Sequence, residues 1–183
     1  MKKVFLIHGF EGMPNGGWRP WLMAELAKLD IYTSALSMPN AHRPKLSEWM
    51  NEIERNIQNA PNGKTYLVGH SLGVPAILKY IEQPHVKKID GIILVAGPSL
   101  PTKKKYVSGF LEKPFDFKTI KRKVKNIVII HGTNDSFVHV DQAHFLVTNL
   151  NAKLLLVKNG GHLNTHAGFS KLPQCLKALI TMF

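Results

Sequence analysis

The sequence contains a single cysteine, Cys175, so neither an intramolecular disulfide nor a cysteine-clustered zinc site can be built from it. No stretch approaches the ~18 consecutive apolar residues that span a bilayer. The nearest thing to a leader is Val4-Phe5-Leu6-Ile7 behind Lys2 and Lys3, and it stops at His8-Gly9, short of the roughly seven apolar residues that a signal sequence needs. A Walker loop, a G-x-G-x-x-G and an H-E-x-x-H are all missing, which removes the usual nucleotide and zinc-protease signatures. No metal and no cofactor is expected. A thiol-poor chain without a span reads as a soluble cytoplasmic protein.

Acidic residues are also scarce: 12 Asp and Glu stand against 24 Lys and Arg, a net charge of +12. Much of the excess lies between Pro98 and Lys125, including the run Lys103-Lys104-Lys105. No zinc finger or aromatic RNA-binding pattern accompanies it, so the segment reads as a solvated basic surface and no nucleic-acid partner is expected. With 44% apolar and 20% charged residues in 183, the chain falls in the ordinary globular range and suits one domain over residues 1–183.

Short β-branched runs alternate with longer amphipathic stretches, the mark of βαβ units and a mostly parallel sheet covered by helices. Strands are expected at 3–8, 31–38, 65–69, 91–96, 127–131 and 153–157, and helices at 18–29, 47–59, 72–83, 140–150 and 170–182. Residues 97–125 break the rhythm, with three prolines, the lysine run and the aromatics Tyr106, Phe110, Phe115 and Phe117 without a clear period. A connection this long in a small domain is usually functional. Phe110, Phe115 and Phe117 are therefore expected to wall a substrate pocket.

Gly69-His70-Ser71-Leu72-Gly73 matches G-x-S-x-G, the elbow in which small neighbours let a strand turn sharply into a helix and expose a serine hydroxyl. The apolar run Tyr66-Leu67-Val68 enters it, and a helical stretch leaves it. Serine needs a histidine to take its proton and a carboxylate to hold that histidine. Among the acids after Ser71, only Asp135 falls just beyond the carboxyl end of a predicted strand, the edge where open α/β sheets gather their ligands. His162, after the strand 153–157 and the turn Asn159-Gly160-Gly161, is the expected base, with His166 as runner-up. The developing oxyanion needs two backbone donors, assigned to Leu72 N–H and, in the loop after the first strand, Phe10 N–H.

These residues stand in a wider pattern: His8-Gly9, Gly17-Trp18-Arg19-Pro20-Trp21, Met38-Pro39-Asn40 leading through Pro44 to Trp49, Phe115-Asp116-Phe117, and Asn134-Asp135 with Gly161-His162. In this the chain resembles, over nearly its whole length, the YdeN and retinoblastoma-binding-protein-nine-like family of small α/β-hydrolases. The resemblance implies an α/β-hydrolase fold with a six-stranded, mostly parallel sheet and no large cap. It also implies a serine hydrolase acting on carboxylic esters, and on amides as a second bond class, with Ser71, Asp135 and His162 in the triad positions. Ser136 and Leu163 depart from the family, which often has proline after the acid and an aromatic after the histidine. No L-x-C-x-E peptide occurs, so retinoblastoma binding does not carry over. The expected substrate is a small-molecule ester or acyl compound with a small or medium acyl group. The alternative is a protein-interaction module on a hydrolase scaffold, which the fold by itself permits.

Overall fold

The strands alternate which core they feed, and that alternation explains the layers. Val4, Leu6, Tyr66, Val68, Ile93, Val95, Val128 and Ile130 point into one apolar core, while Phe5, Ile7, Leu67, Ile92, Leu94 and Ile129 point into the other. A sheet apolar on both faces must be covered on both, which is the condition for parallel strands joined by helices. In the computed structural model, which describes residues 1–102 and 105–183, the strands are β1 (Lys2–Ile7), β2 (Tyr32–Ala35), β3 (Lys64–His70), β4 (Gly91–Val95), β5 (Ile127–Gly132) and β6 (Lys153–Val157). They form one sheet in the order β2-β1-β3-β4-β5-β6, parallel at every pairing described. The fold is that of an α/β-hydrolase.

Helices α1 (Arg19–Ala27), α2 (Leu46–Asn59), α3 (Gly73–Glu82), α4 (Lys105–Leu111), α5 (Phe117–Lys123), α6 (Asp141–Leu150) and α7 (Pro173–Met182) fill the connections. α1 and α7 cover one face with Leu22, Leu26, Cys175 and Leu179. α2, α3 and α6 cover the other, where Trp49 and Ile53 meet Ile77 and Ile81. α3 is buried from Gly73 to Ile81, because its neighbours α2, α4 and α5 flank it on the sheet. All six strands and five helices expected from periodicity are present, with ends displaced by a few residues. β2 is shorter than expected, ending at Ala35.

The segment 97–125, expected as an irregular loop, holds two short helices. α5 has a local cause: the Asp116 carboxylate accepts from Thr119 N at 3.0 Å and caps it, and Lys121, Arg122 and Lys123 occupy its last turn, where cations suit the helix dipole. Lys103 and Lys104 of the basic run lie outside the described residues. Among the described residues no helix is long and apolar enough to cross a membrane.

Candidate active site

The β3–α3 turn is held by three close approaches. A side chain on Gly69 would meet the carbonyl of Gly73 at 2.8 Å, and one on Gly73 would meet the Ile7 carbonyl oxygen at 2.5 Å. A side chain on Gly9 would come within 2.8 Å of Ser71 Cβ. Only glycine fits at these places, which is why the elbow motif and the His8-Gly9 pair occur together. Ser71 itself takes a left-handed conformation, φ +53°, unfavourable for a residue with a side chain and held here by its surroundings. Its N–H donates to the Val95 carbonyl at 2.8 Å. The strain turns the hydroxyl out of the strand into a cleft at the carboxyl edge of the sheet.

Two other strand ends bring their residues to the same point. His162 Nε2 lies 3.0 Å from Ser71 Oγ, and His162 Nδ1 lies 2.7 Å from Asp135 Oδ2. With Nδ1–H donating to the carboxylate, Nε2 is free to accept the serine proton. The other Asp135 oxygen, Oδ1, accepts from the Phe137 and Val138 amides at 2.8 and 3.0 Å. Burial alone would raise the Asp135 carboxyl. The bonds from His162, Val138 and Phe137 outweigh it and hold the group below the usual carboxylate range. The Asp135 and His162 loops are fastened together where Asn134 Oδ1 accepts from Gly161 N at 2.8 Å.

Three further histidines surround the site, and the sequence reading did not single them out. His70 is buried between Trp18 and His162, its ring 6.1 and 5.0 Å from theirs, and its Nε2–H donates to the His162 carbonyl at 2.9 Å. Burial, then the nearby charge of His162, push it down to about 3, so it is neutral. His131 Nε2–H donates to Val138 O at 2.8 Å and lies 3.6 Å from Asp135 Oδ2. Burial lowers it too. His8 accepts from Met38 N at 3.1 Å and is likewise lowered by burial. These histidines act as neutral hydrogen-bonding struts. The signal was available in part, because His70 lies inside the elbow motif and His131 closes a predicted strand.

The cleft has a volume of about 910 Å³, within the range of sites that hold small ligands. Phe10 and Leu72 line it. Leu72 is the residue before α3, where amides lack partners within a helix. The expected pocket wall is different from what the sequence suggested. Phe110, Phe115 and Phe117 do not line the cleft; its walls include Pro98, Leu100, Val107 and Phe137. Phe110 packs edge-on against Trp49 at 5.3 Å, and Phe117 joins Phe115 to Phe145 at 5.7 Å each. They seal the helical layer over α3 because the two short helices turn their aromatics inward. His166, the alternative base, is exposed on the rim. No group of three or more His, Cys, Asp or Glu among the described residues is arranged to hold a metal.

A family model described as serine hydrolase matches residues 4–181. The YdeN protein of Bacillus subtilis (strain 168) is 34% identical over 185 residues, covering 100% of this chain and 96% of its own. Serine hydrolase RBBP9 of Rattus norvegicus is 25% identical over 184 residues, 98% of this chain and 96% of that one. The crystal structure of the B. subtilis ydeN gene product superposes with a TM-score of 0.93 at 31% identity, covering 100% of this chain and 99% of that one.

Proposed function

The chain belongs to the serine hydrolase family, and from that premise we propose that it cleaves carboxylic esters of small or medium acyl groups through Ser71, His162 and Asp135. The observation that carries this reading is the hydrogen-bond chain Asp135–His162–Ser71, at 2.7 and 3.0 Å, ending on a serine at φ +53°. Ser71 Oγ attacks the carbonyl carbon while His162 Nε2 takes its proton. The carbonyl oxygen, now negative, turns toward the amides of Leu72 and Phe10. Water-excluded donors of this type are usually the largest single contribution to such a reaction. His162 then gives the proton to the departing alcohol, leaving an acyl-serine. Water, deprotonated by His162, releases the acid and restores the serine. Amides are the second bond class the same steps would serve, at lower rate because the leaving amine is more basic.

Asp135 does not exchange protons in this scheme. It fixes the imidazole tautomer and stabilises the imidazolium that forms between steps. Its two amide bonds keep it ionised and aimed, and neutral His131 and His70 add no competing charge.

Labelling with a fluorophosphonate probe tests the assignment. The wild type is expected to be labelled at one residue, and Ser71→Ala to lose both labelling and ester turnover while keeping its fold, since the hydroxyl is not part of either core. Ester hydrolysis retained in Ser71→Ala overturns the nucleophile. Absence of labelling in the wild type leaves the binding-module reading of the scaffold.

A further inference from the structure

Among the described residues, the large apolar side chains left in water include Met13, Leu100 and Phe137, and all three stand on the wall of the same cleft. Phe137 is the most exposed of them, at 64%, and its backbone is tied down. Its N–H donates to Asp135 Oδ1 at 2.8 Å, so the loop that holds the acid also presents this ring. The ring centroid lies 5.3 Å from that of His162, at an interplanar angle of 46°. Met13 is held similarly: Arg19, itself buried, donates from Nε and Nη2 to the Met13 carbonyl at 3.2 and 2.8 Å. Exposed apolar side chains on pinned backbone, grouped at one cleft, mark a surface that a ligand covers.

The chemistry of the site decides which part of the ligand meets Phe137. In acylation the Ser71 Oγ–carbon bond forms, the bond from that carbon to the alcohol oxygen breaks, and the proton on His162 Nε2 passes to that oxygen. The alcohol oxygen must therefore come within hydrogen-bond reach of His162 Nε2. A group attached to it lies against whatever flanks the imidazole. Phe137 flanks it and is open to the cleft. The other ring beside the imidazole, that of His70 at 5.0 Å, is buried.

Resting on the esterase reading above, we infer that Phe137 walls the leaving-group subsite and that the favoured substrates are esters of alcohols carrying an aromatic ring. A planar ring offers Phe137 an offset or edge-on partner and covers the apolar surface that an alkyl alcohol of two carbons leaves wet. Leu100 and Met13 extend the apolar mouth for larger groups.

The test compares 2-phenylethyl acetate with ethyl acetate, whose acyl groups are identical and whose alcohols are of similar basicity. In the wild type kcat/KM is expected to favour the phenylethyl ester by about tenfold or more, and Phe137→Ala to reduce that ratio about tenfold. The loss should fall on acylation. Hydrolysis of the acetyl-enzyme, followed after a burst with p-nitrophenyl acetate, has no leaving group in the site and should not carry it. Phe137→Tyr, which keeps a ring, should restore the ratio. Equal losses on both esters, or slowed deacylation, would make Phe137 a positioning residue for His162 and overturn the inference. So would a changed preference for acyl length at constant alcohol, or an unchanged ratio. If fluorophosphonate labelling persists while the ratio is unmoved, this inference fails alone; if labelling and turnover are both absent in the wild type, the esterase reading fails with it.

Discussion

Acid should destabilise this protein in a way that can be traced to His70. The ring is 7% exposed, donates one hydrogen bond to the His162 carbonyl, and is pushed by burial and by His162 to about 3. In the unfolded chain it titrates near 6.5. Between those two values the unfolded state holds a proton on His70 that the native state refuses, so stability falls as pH falls through this window. At pH 5 the difference is close to one whole proton. It contributes a slope of about 1.4 kcal/mol per pH unit, and about 5 kcal/mol across the full window. That is comparable to the entire stability of many domains. The comparison to make is His70→Gln, which has an amide N–H to offer the His162 carbonyl and does not titrate. Urea unfolding at pH 5, 5.5 and 6 should show the variant's stability declining less steeply, by about 1.4 kcal/mol per unit. His8 and His131, also lowered by burial, are present in both proteins and cancel. Equal slopes would refute the argument, because they would mean that His70 is protonated in the native state.

Asp135→Asn keeps the side chain's size but loses the charge that stabilises imidazolium and the acceptor that selects its tautomer. kcat is expected to fall by about four powers of ten, while His166→Ala, on the exposed rim, should stay within a factor of two. A p-nitrophenyl ester series measures the acyl side: kcat/KM should peak at or below medium chain length. Each added CH₂ contributes about 0.8 kcal/mol only where a wall buries it, so a rise continuing through long chains would contradict the short-acyl reading.

The fold was legible because its strands are apolar on both faces and its helices long enough to show a period. Placing Asp135 and His162 needed no distances: each follows a strand's carboxyl end, and a parallel sheet brings those ends together. The 2.7 and 3.0 Å contacts among Asp135, His162 and Ser71 depend on the shapes of the loops after those strands, which topology does not give. The two seven-residue helices α4 and α5 were missed because two turns are too few for periodicity to register, although Asp116 and Thr119 marked a cap. The aromatics there misled for a related reason. Composition shows that Phe110, Phe115 and Phe117 must be covered, but only the direction of a short helix decides whether substrate or Trp49 does the covering. Phe137 was passed over because a single aromatic in a turn carries no pattern. Its place beside His162 depends on the bonds that Asp135 Oδ1 accepts from the Phe137 and Val138 N–H groups, an Asx-type turn whose direction relative to His162 the sequence does not show.

The three strand ends that meet in the cleft are not equally secured. β3 and α3 sit at the middle of the sheet and are buried almost throughout, whereas β6 is an edge strand with each residue at least partly exposed. Local opening draws on the least buried part of a structure first. The loop after β6 counters that weakness with its own anchor: Leu163 is fully buried in the core beside Trp18, and its carbonyl accepts from Trp18 Nε1 at 2.9 Å, so His162 is secured by its loop rather than by its strand.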